Sequence, residues 1–399
     1  MTARGVGDLV RIDRVRIPFR RPFATLSGMW LEREAWIVRL SRGDGQYGSG
    51  EAVLEPGDGV VAASVLEHLV REIVSAPRGT PLPSAAELEQ HGSPGRALRA
   101  AIDAARLDLG PKGPGASDET CRAPRLAGTQ VLGAGPGVGV NATLPLLDPR
   151  SSAEAALQSV EAGFATLKLK AGAERETEVL TNRVRAVREA VGPDVRLRLD
   201  VNGAWDLETA VERLSAVAGF GLEYVEQPVG AVDAAALGEL RRRVRVPIAA
   251  DEAVTSLPTA GALLDADAVD VLVVKPARVG GPIVAAEIAD LAAGRGVPVV
   301  LSTLFETGVG IASALAVAAS LPRVEPGFSG SLSGGTPLDH GLATAGLLEH
   351  DLLVDGLVLD DGRLWAPGGP GTGRLGIRVS EAAMARYGVE RSPTGEWDL

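Results

Sequence analysis

Charged residues interrupt the apolar runs of this 399-residue chain at one recurring place, the carboxyl end of a short hydrophobic segment. FATLKLK at 164–170 ends on Lys168 and Lys170, and VRLRLDVN at 195–202 ends on Asp200 and Asn202. LEYVEQP at 222–228 carries Glu226, VPIAADE at 246–252 ends on Asp251 and Glu252, and VDVLVVKP at 269–276 carries Lys275. Asp200, Glu226, Asp251 and Lys275 follow one another at 26, 25 and 24 residues, close to one strand plus one helix each time. Equal phase on successive strands would gather them at one mouth of a barrel. Three carboxylates converging in a partly dry cavity repel one another, and a hard divalent ion removes that cost. Asp200, Glu226 and Asp251 are therefore the expected ligands, of Mg²⁺ or alternatively Mn²⁺, because every donor is oxygen. Asn202 and Glu252 are expected to orient those ligands. Lys168 and Lys170 share strand phase, so both face the cavity, and each is expected to lower the other's pKa as a base near neutral pH requires. Lys275, three strands beyond Asp200, is placed to approach the opposite face of a bound substrate. Removing a proton next to a carboxylate creates a dianion, which a cation at the carboxylate oxygens makes accessible. Such an enediolate can regain a proton, expel a leaving group or close a ring.

Those residues need a scaffold of parallel strands. From Val138 onward, short apolar runs alternate with helical patterns such as EVLTNRVRAVREAVG and GPIVAAEIADLAAGRG, which gives strand-helix units. Seven or eight units in one stretch suit a closed barrel better than a doubly wound open sheet. Ahead of them, Leu9–Ile17, Ala35–Leu40 and Tyr47–Leu54 read as antiparallel strands around the Gly43–Gly45 turn, followed by helical spacing over 60–76 and 97–109. Residues 1–130 thus form an expected α+β domain, 131–345 the barrel, and 346–399 a segment returning to the first domain. Residues 111–137 are Pro/Gly-rich and read as a connecting loop. The stretch DDGRLWAPGGPGTGRLGIRV reads as a turn-rich hairpin with a short helix after it.

Composition narrows the function. A formal charge of −11 and pI near 5.1 argue against nucleic acid, which demands concentrated Lys and Arg. The first residues lack the apolar run of a signal peptide, and no segment has the purity of a membrane span, so a soluble cytoplasmic protein is expected. One cysteine, Cys121, allows neither an internal disulfide nor a Cys-based zinc site. The four histidines, His68, His91, His340 and His350, avoid the strand ends between 168 and 303.

As an ordered set, KLK at 168–170, DVN at 200–202, EQP at 226–228, DE at 251–252, KP at 275–276 and the closing DGRLWAPGGPG resemble the muconate-lactonising subgroup of the enolase superfamily. The resemblance implies a modified (β/α)8-type barrel, (β/α)7β, beneath an N-terminal capping domain. It implies Lys170 as the proton-abstracting base, Lys168 as its assistant, and Lys275 as the opposing acid/base or a cation facing the enolate. Within the subgroup, LSTLFETGVGIASALAVAASLP at 301–322 and HGLATAGLLEHDLL at 340–353 look like the o-succinylbenzoate synthases of menaquinone biosynthesis. That likeness implies a carbon-oxygen lyase acting on a small carboxylate, with a homo-oligomer possible. A loop around Phe19–Trp30 would fold over the barrel mouth. Arg20, Arg21 and amides near Gly308 would meet a distal carboxylate, while Phe23, Met29 and Trp30 exclude water. Ser302, Thr303 and Glu306 complete the expected substrate contacts. N-acylamino acid racemisation, dipeptide epimerisation and muconate-type cycloisomerisation are the alternatives inside the superfamily. A Schiff-base barrel aldolase is the alternative outside it, and the convergent acids argue against that.

Overall fold

The structure is a computed structural model that describes residues 8–25, 28–43, 45–55, 57–77, 80–110, 137–230, 234–321, 337–365, 375–391 and 395–397. Cys121 and all but the last residue of the expected loop at 111–137 lie outside them.

Strands β1 (Asp8–Thr25), β2 (Gly28–Ser41) and β3 (Tyr47–Ala52) make an antiparallel sheet. Alternation along these strands assigns their two faces. Val10, Ile12, Trp36, Val38 and Leu40 pack on helices Gly59–Ser75 and Ser93–Leu109, whereas Val15, Ile17, Ala35, Ile37 and Val53 join the barrel's core. One sheet therefore seals two cores. Residues 19–30, expected as a loop, are instead largely paired strand: Phe23 faces Trp30, Ala24 faces Met29, and Thr25 faces Gly28. Pro18 and Pro22 break the apolar alternation there, and the ladder is irregular between Pro18 and Phe23.

After β4 (Val138–Gly139) come the parallel strands β5 (Ala142–Leu144), β6 (Thr166–Lys170), β7 (Arg196–Asp200), β8 (Leu222–Glu226), β9 (Ile248–Ala250), β10 (Val271–Val274) and β11 (Val299–Leu301), paired in sequence order. Residues 340–341 bridge the two ends of this seven-stranded sheet. His340 pairs with Val140 and Gly341 with Ser302, both in parallel sense, so the sheet curls into a barrel. Leu167, Leu169, Leu197, Leu199 and Val225 belong to the core under the surrounding helices. The alternate positions, Lys168, Lys170, Arg198, Asp200, Tyr224 and Glu226, face the interior. Part of that interior is apolar, where Tyr224, Ala249, Val271, Val273 and Val300 form their own cluster. Several helices after the strands begin on a polar cap, including Asp206, Ser256 and Thr307, which fixes where each loop ends.

Beyond the barrel, β12 (Val358–Asp360) and β13 (Arg363–Trp365) form the expected hairpin, turned at Asp361 and Gly362 with φ of 44° and 64°. It pairs with β4 rather than with the first domain. The chain then passes through helix Glu381–Tyr387 and adds β14 (Gly388–Arg391) and β15 (Gly395–Trp397) to β1.

Candidate active site

Register places the charged residues in levels. Lys170, Asp200 and Glu226 stand side by side across β6, β7 and β8, and Lys168, Arg198 and Tyr224 form the level beneath. Immediately past the strands, Asn202 and Gln227 adopt left-handed backbone, with φ of 50° and 40°. The buried Gln227 amide ties two strand ends together: its Oε1 accepts from the amides of Asp251 at 2.9 Å and Ala253 at 3.2 Å.

The side chains converge. Lys168 Nζ donates to Glu226 Oε1 and Oε2 at 3.0 and 3.1 Å and lies 3.0 Å from Asp200 Oδ2. Lys170 Nζ donates to Asp200 Oδ2 at 2.7 Å and to Asn202 Oδ1 at 2.9 Å. On the other side, Lys275 Nζ reaches Asp251 Oδ2 at 2.6 Å, and Arg278 Nη1 holds Asp251 Oδ1 at 2.6 Å. The Lys170 side chain is 25% exposed, against 9% for Lys168 and 11% for Lys275, so Lys170 is the most open of the three lysines.

Electrostatics follow from this packing. Burial works against the Asp200 carboxylate, yet Lys168 and Lys170 hold it below the usual carboxylate range; Lys275 and Arg278 do the same for Asp251. Glu226 is pushed up to about 8 by burial and by the Asp200 charge. The expectation that Lys168 has a lowered pKa is corrected. Burial alone would lower it, but Asp200 and Glu226 outweigh burial and raise it well above the ordinary lysine value.

Among the described residues, no group of three or more His, Cys, Asp or Glu side chains is arranged to hold a metal ion as the rotamers stand. The reason is visible: Lys168 lies between Asp200 and Glu226, while Lys275 and Arg278 occupy the oxygens of Asp251. The donor set itself fits a hard divalent cation. It is all oxygen, Asp200 Oδ1 is buried without a hydrogen-bond partner, and Glu226 carries the strain of its like-charged neighbours.

Residues 151–383 match the family described as enolase C-terminal domain-like, over more than half of the chain. The chain belongs to the enolase superfamily. It is 42% identical over 222 residues to an o-succinylbenzoate synthase of Thermobifida fusca, a match covering 55% of this chain and 64% of the relative, just under two thirds of its length. It is 32% identical over 379 residues to an N-succinylamino acid racemase of Amycolatopsis sp., covering 91% of this chain and 93% of that one. Among solved structures, the muconate lactonizing enzyme of Pseudomonas fluorescens superposes with a TM-score of 0.75, at 22% identity, over 96% of this chain and 99% of that one. That last likeness concerns the fold.

Outside this superfamily core, the expected substrate contacts divide. Ser302 and Thr303 are buried just past β11, with Ser302 Oγ 3.5 Å from Gly341 O and Thr303 Oγ1 2.9 Å from Thr344 Oγ1. Glu306 is buried, its carboxyl raised by burial. The amides around Gly308 are already engaged. Gly308 N donates to Asp351 Oδ1 at 2.7 Å, Thr307 N to Glu51 Oε1 at 3.0 Å, and Gly310 N to Glu51 Oε2 at 2.9 Å. Internal carboxylates thus take the place foreseen for the substrate's. Arg20 and Arg21 are exposed on the hairpin, Met29 is 60% exposed, and Trp30 is half-buried beneath the Arg33 guanidinium at 5.2 Å. The Phe23 side chain lies outside the described residues.

Sequence reasoning missed Gln227, Arg278, Arg33 and Glu51. Arg278 had a signal, since it follows Lys275 by one helical turn. Gln227 stood inside EQP as an apparent spacer. Arg33 and Glu51 continue the strand phase of Ala35 and Val53, so both face the barrel, but nothing in a lone charge on a strand announces that.

Proposed function

We propose that this chain dehydrates 2-succinyl-6-hydroxy-2,4-cyclohexadiene-1-carboxylate to 2-succinylbenzoate, with Lys170 as base and Mg²⁺ or Mn²⁺ held by Asp200, Glu226 and Asp251. The observation that carries this reading is the arrangement of ammonium groups: Lys170 is tied to Asp200 and Lys275 to Asp251, with Glu226 on the strand between. A planar carboxylate substrate centred over Glu226 would meet one lysine on each face. The cation, when bound, supplies positive charge where the substrate carboxylate gathers electron density. Lys170, the more open amine, takes the proton α to the ring carboxylate and returns it to the departing hydroxyl. Lys275 faces the developing negative charge from the other side. Lys168, buried between them, holds Asp200 and Glu226 in register. The identity to o-succinylbenzoate synthases supports this substrate.

Purified protein with Mg²⁺ or Mn²⁺ is expected to form 2-succinylbenzoate, and chelation to stop it. Lys170→Ala should lower kcat by about 10²–10⁴-fold, the range typical of a lost general base, with an unchanged circular dichroism spectrum. Near wild-type turnover in that variant would remove Lys170 from the role.

Racemisation of N-succinylamino acids is the second reading, favoured because the racemase relative aligns with 91% of this chain. Its requirement is a base on each face, the roles that Lys170 and Lys275 would take. Deuterium incorporation from ²H₂O at the α-carbon of both enantiomers would support it, and exchange in neither would exclude it.

A further inference from the structure

Asn202 and Glu252, expected to orient metal ligands, are also joined to each other and to Lys170. The Asn202 amide bridges Lys170 and Glu252: Lys170 Nζ donates to Asn202 Oδ1 at 2.9 Å, and Asn202 Nδ2 donates to Glu252 Oε1 at 2.8 Å. The amide can sit only one way round. A lysine amine with its protons on offer needs an oxygen opposite it, and Glu252 Oε1 takes an N–H at the other end. Left-handed backbone at Asn202, with φ of 50°, sets the amide across the gap between the two strand ends. Glu252 is half-buried, with Oε2 lacking a hydrogen-bond partner, so the hydrogen bond its side chain makes among the described residues is the one it accepts from Asn202.

We infer that Asn202, held by Glu252, is a positioning residue that aims the reactive electron pair of Lys170 at the substrate. This rests on Lys170 being the base. A neutral amine has two N–H bonds and one lone pair. Asp200 Oδ2 and Asn202 Oδ1 accept the two N–H bonds, which leaves the lone pair turned away from both, on a side chain that is 25% exposed. In the step itself, that lone pair forms the new N–H bond, the substrate Cα–H bond breaks, and its electron pair moves into the adjacent carboxylate. Without Asn202 Oδ1 the amine turns about its terminal C–N bond, and only a fraction of its orientations face the proton.

Two variants test this. Asn202→Gly deletes the amide, and glycine accepts the left-handed backbone without strain. Glu252→Gln keeps the size of the side chain but lets the Asn202 amide be held either way round. The account expects Asn202→Gly to lower kcat about 10–100-fold with KM within about twofold, and Glu252→Gln to lower kcat by a smaller factor in the same manner. Thermal midpoints should stay near wild type. For N-succinylamino acids in ²H₂O, the enantiomer whose exchange is lost in Lys170→Ala should slow in Asn202→Gly, while its mirror image exchanges as in wild type. Undiminished kcat in Asn202→Gly, beside a dead Lys170→Ala, overturns the positioning role and leaves the base assignment standing. An active Lys170→Ala, or a wild type that turns over neither substrate, overturns the base assignment and this inference with it.

Discussion

Gln227 illustrates how a residue without charge fixes one that has it. Its carbonyl accepts both the Asp251 and the Ala253 amides, and its Nε2 donates to Val229 O at 2.8 Å, so the end of β9 is pinned to the end of β8. Replacing it with leucine keeps the volume and leaves the buried Asp251 amide and the part-buried Ala253 amide without this acceptor, which costs about 1–3 kcal/mol for the buried one. Gln227→Leu is therefore expected to lower the unfolding free energy measured in denaturant, and to weaken divalent-ion activation because Asp251 loses its anchor. Unaltered stability would mean that the two amides find other partners. At this scale much was legible. Lys168, Lys170, Asp200, Glu226, Asp251 and Lys275 announce themselves because a charge that ends an apolar strand is chemically conspicuous. Gln227 does not, since its importance lies in hydrogen bonds to the backbone of the next strand end, which no residue type announces.

Elements carry a different kind of information. The barrel strands were readable because each is short, apolar and bounded by polar turns: β6 occupies Thr166–Lys170 within FATLKLK, and β7 Arg196–Asp200 within VRLRLDVN. The outer part of the β1–β2 hairpin, beyond Ile17, was hidden, because Pro18, Pro22 and the arginines beside them mask a ladder made by backbone pairing. Equally hidden was the carboxylate of β3 that caps a barrel helix. Glu51 accepts from Thr307 N, Thr307 Oγ1 at 2.6 Å and Gly310 N, so the first domain closes the amino end of helix Gly308–Ser320. Burial, with the neighbouring Glu306 adding to it, pushes Glu51 up to about 7. Its folded-state value thus lies above the ordinary one of 4.5, so the folded protein binds more protons in that interval, and stability is lost as pH rises from about 4.5 to 7. Asp108, also raised to about 7 by burial, acts with the same sign where it accepts from Ser49 N and Leu375 N. The thermal midpoint of the wild type is therefore expected to fall between pH 5 and pH 7 more steeply than that of Glu51→Gln. Equal slopes would show that the Glu51 proton does not contribute.

The whole molecule is held by contacts that cross from one layer to another. Arg278 grips Glu55 of the first domain with two hydrogen bonds of 2.7 Å while its third nitrogen holds Asp251, so one side chain ties that domain to the proposed metal ligand Asp251. β14 and β15 cover the outer edge of β1. Ending the chain after Tyr387 would bare that edge, and a lower thermal midpoint with concentration-dependent association is expected; a monomeric truncation of unchanged midpoint would contradict it. The proposed chemistry nonetheless depends on one arrangement, in which Asp200, Glu226 and Asp251 would share a bound cation. Calorimetric titration of Mn²⁺ into the full-length protein tests this without any substrate. The account predicts one site per chain, with affinity reduced at least about tenfold in each of Asp200→Asn, Glu226→Gln and Asp251→Asn while the circular dichroism spectrum stays constant. Wild-type Mn²⁺ affinity in all three variants would contradict it.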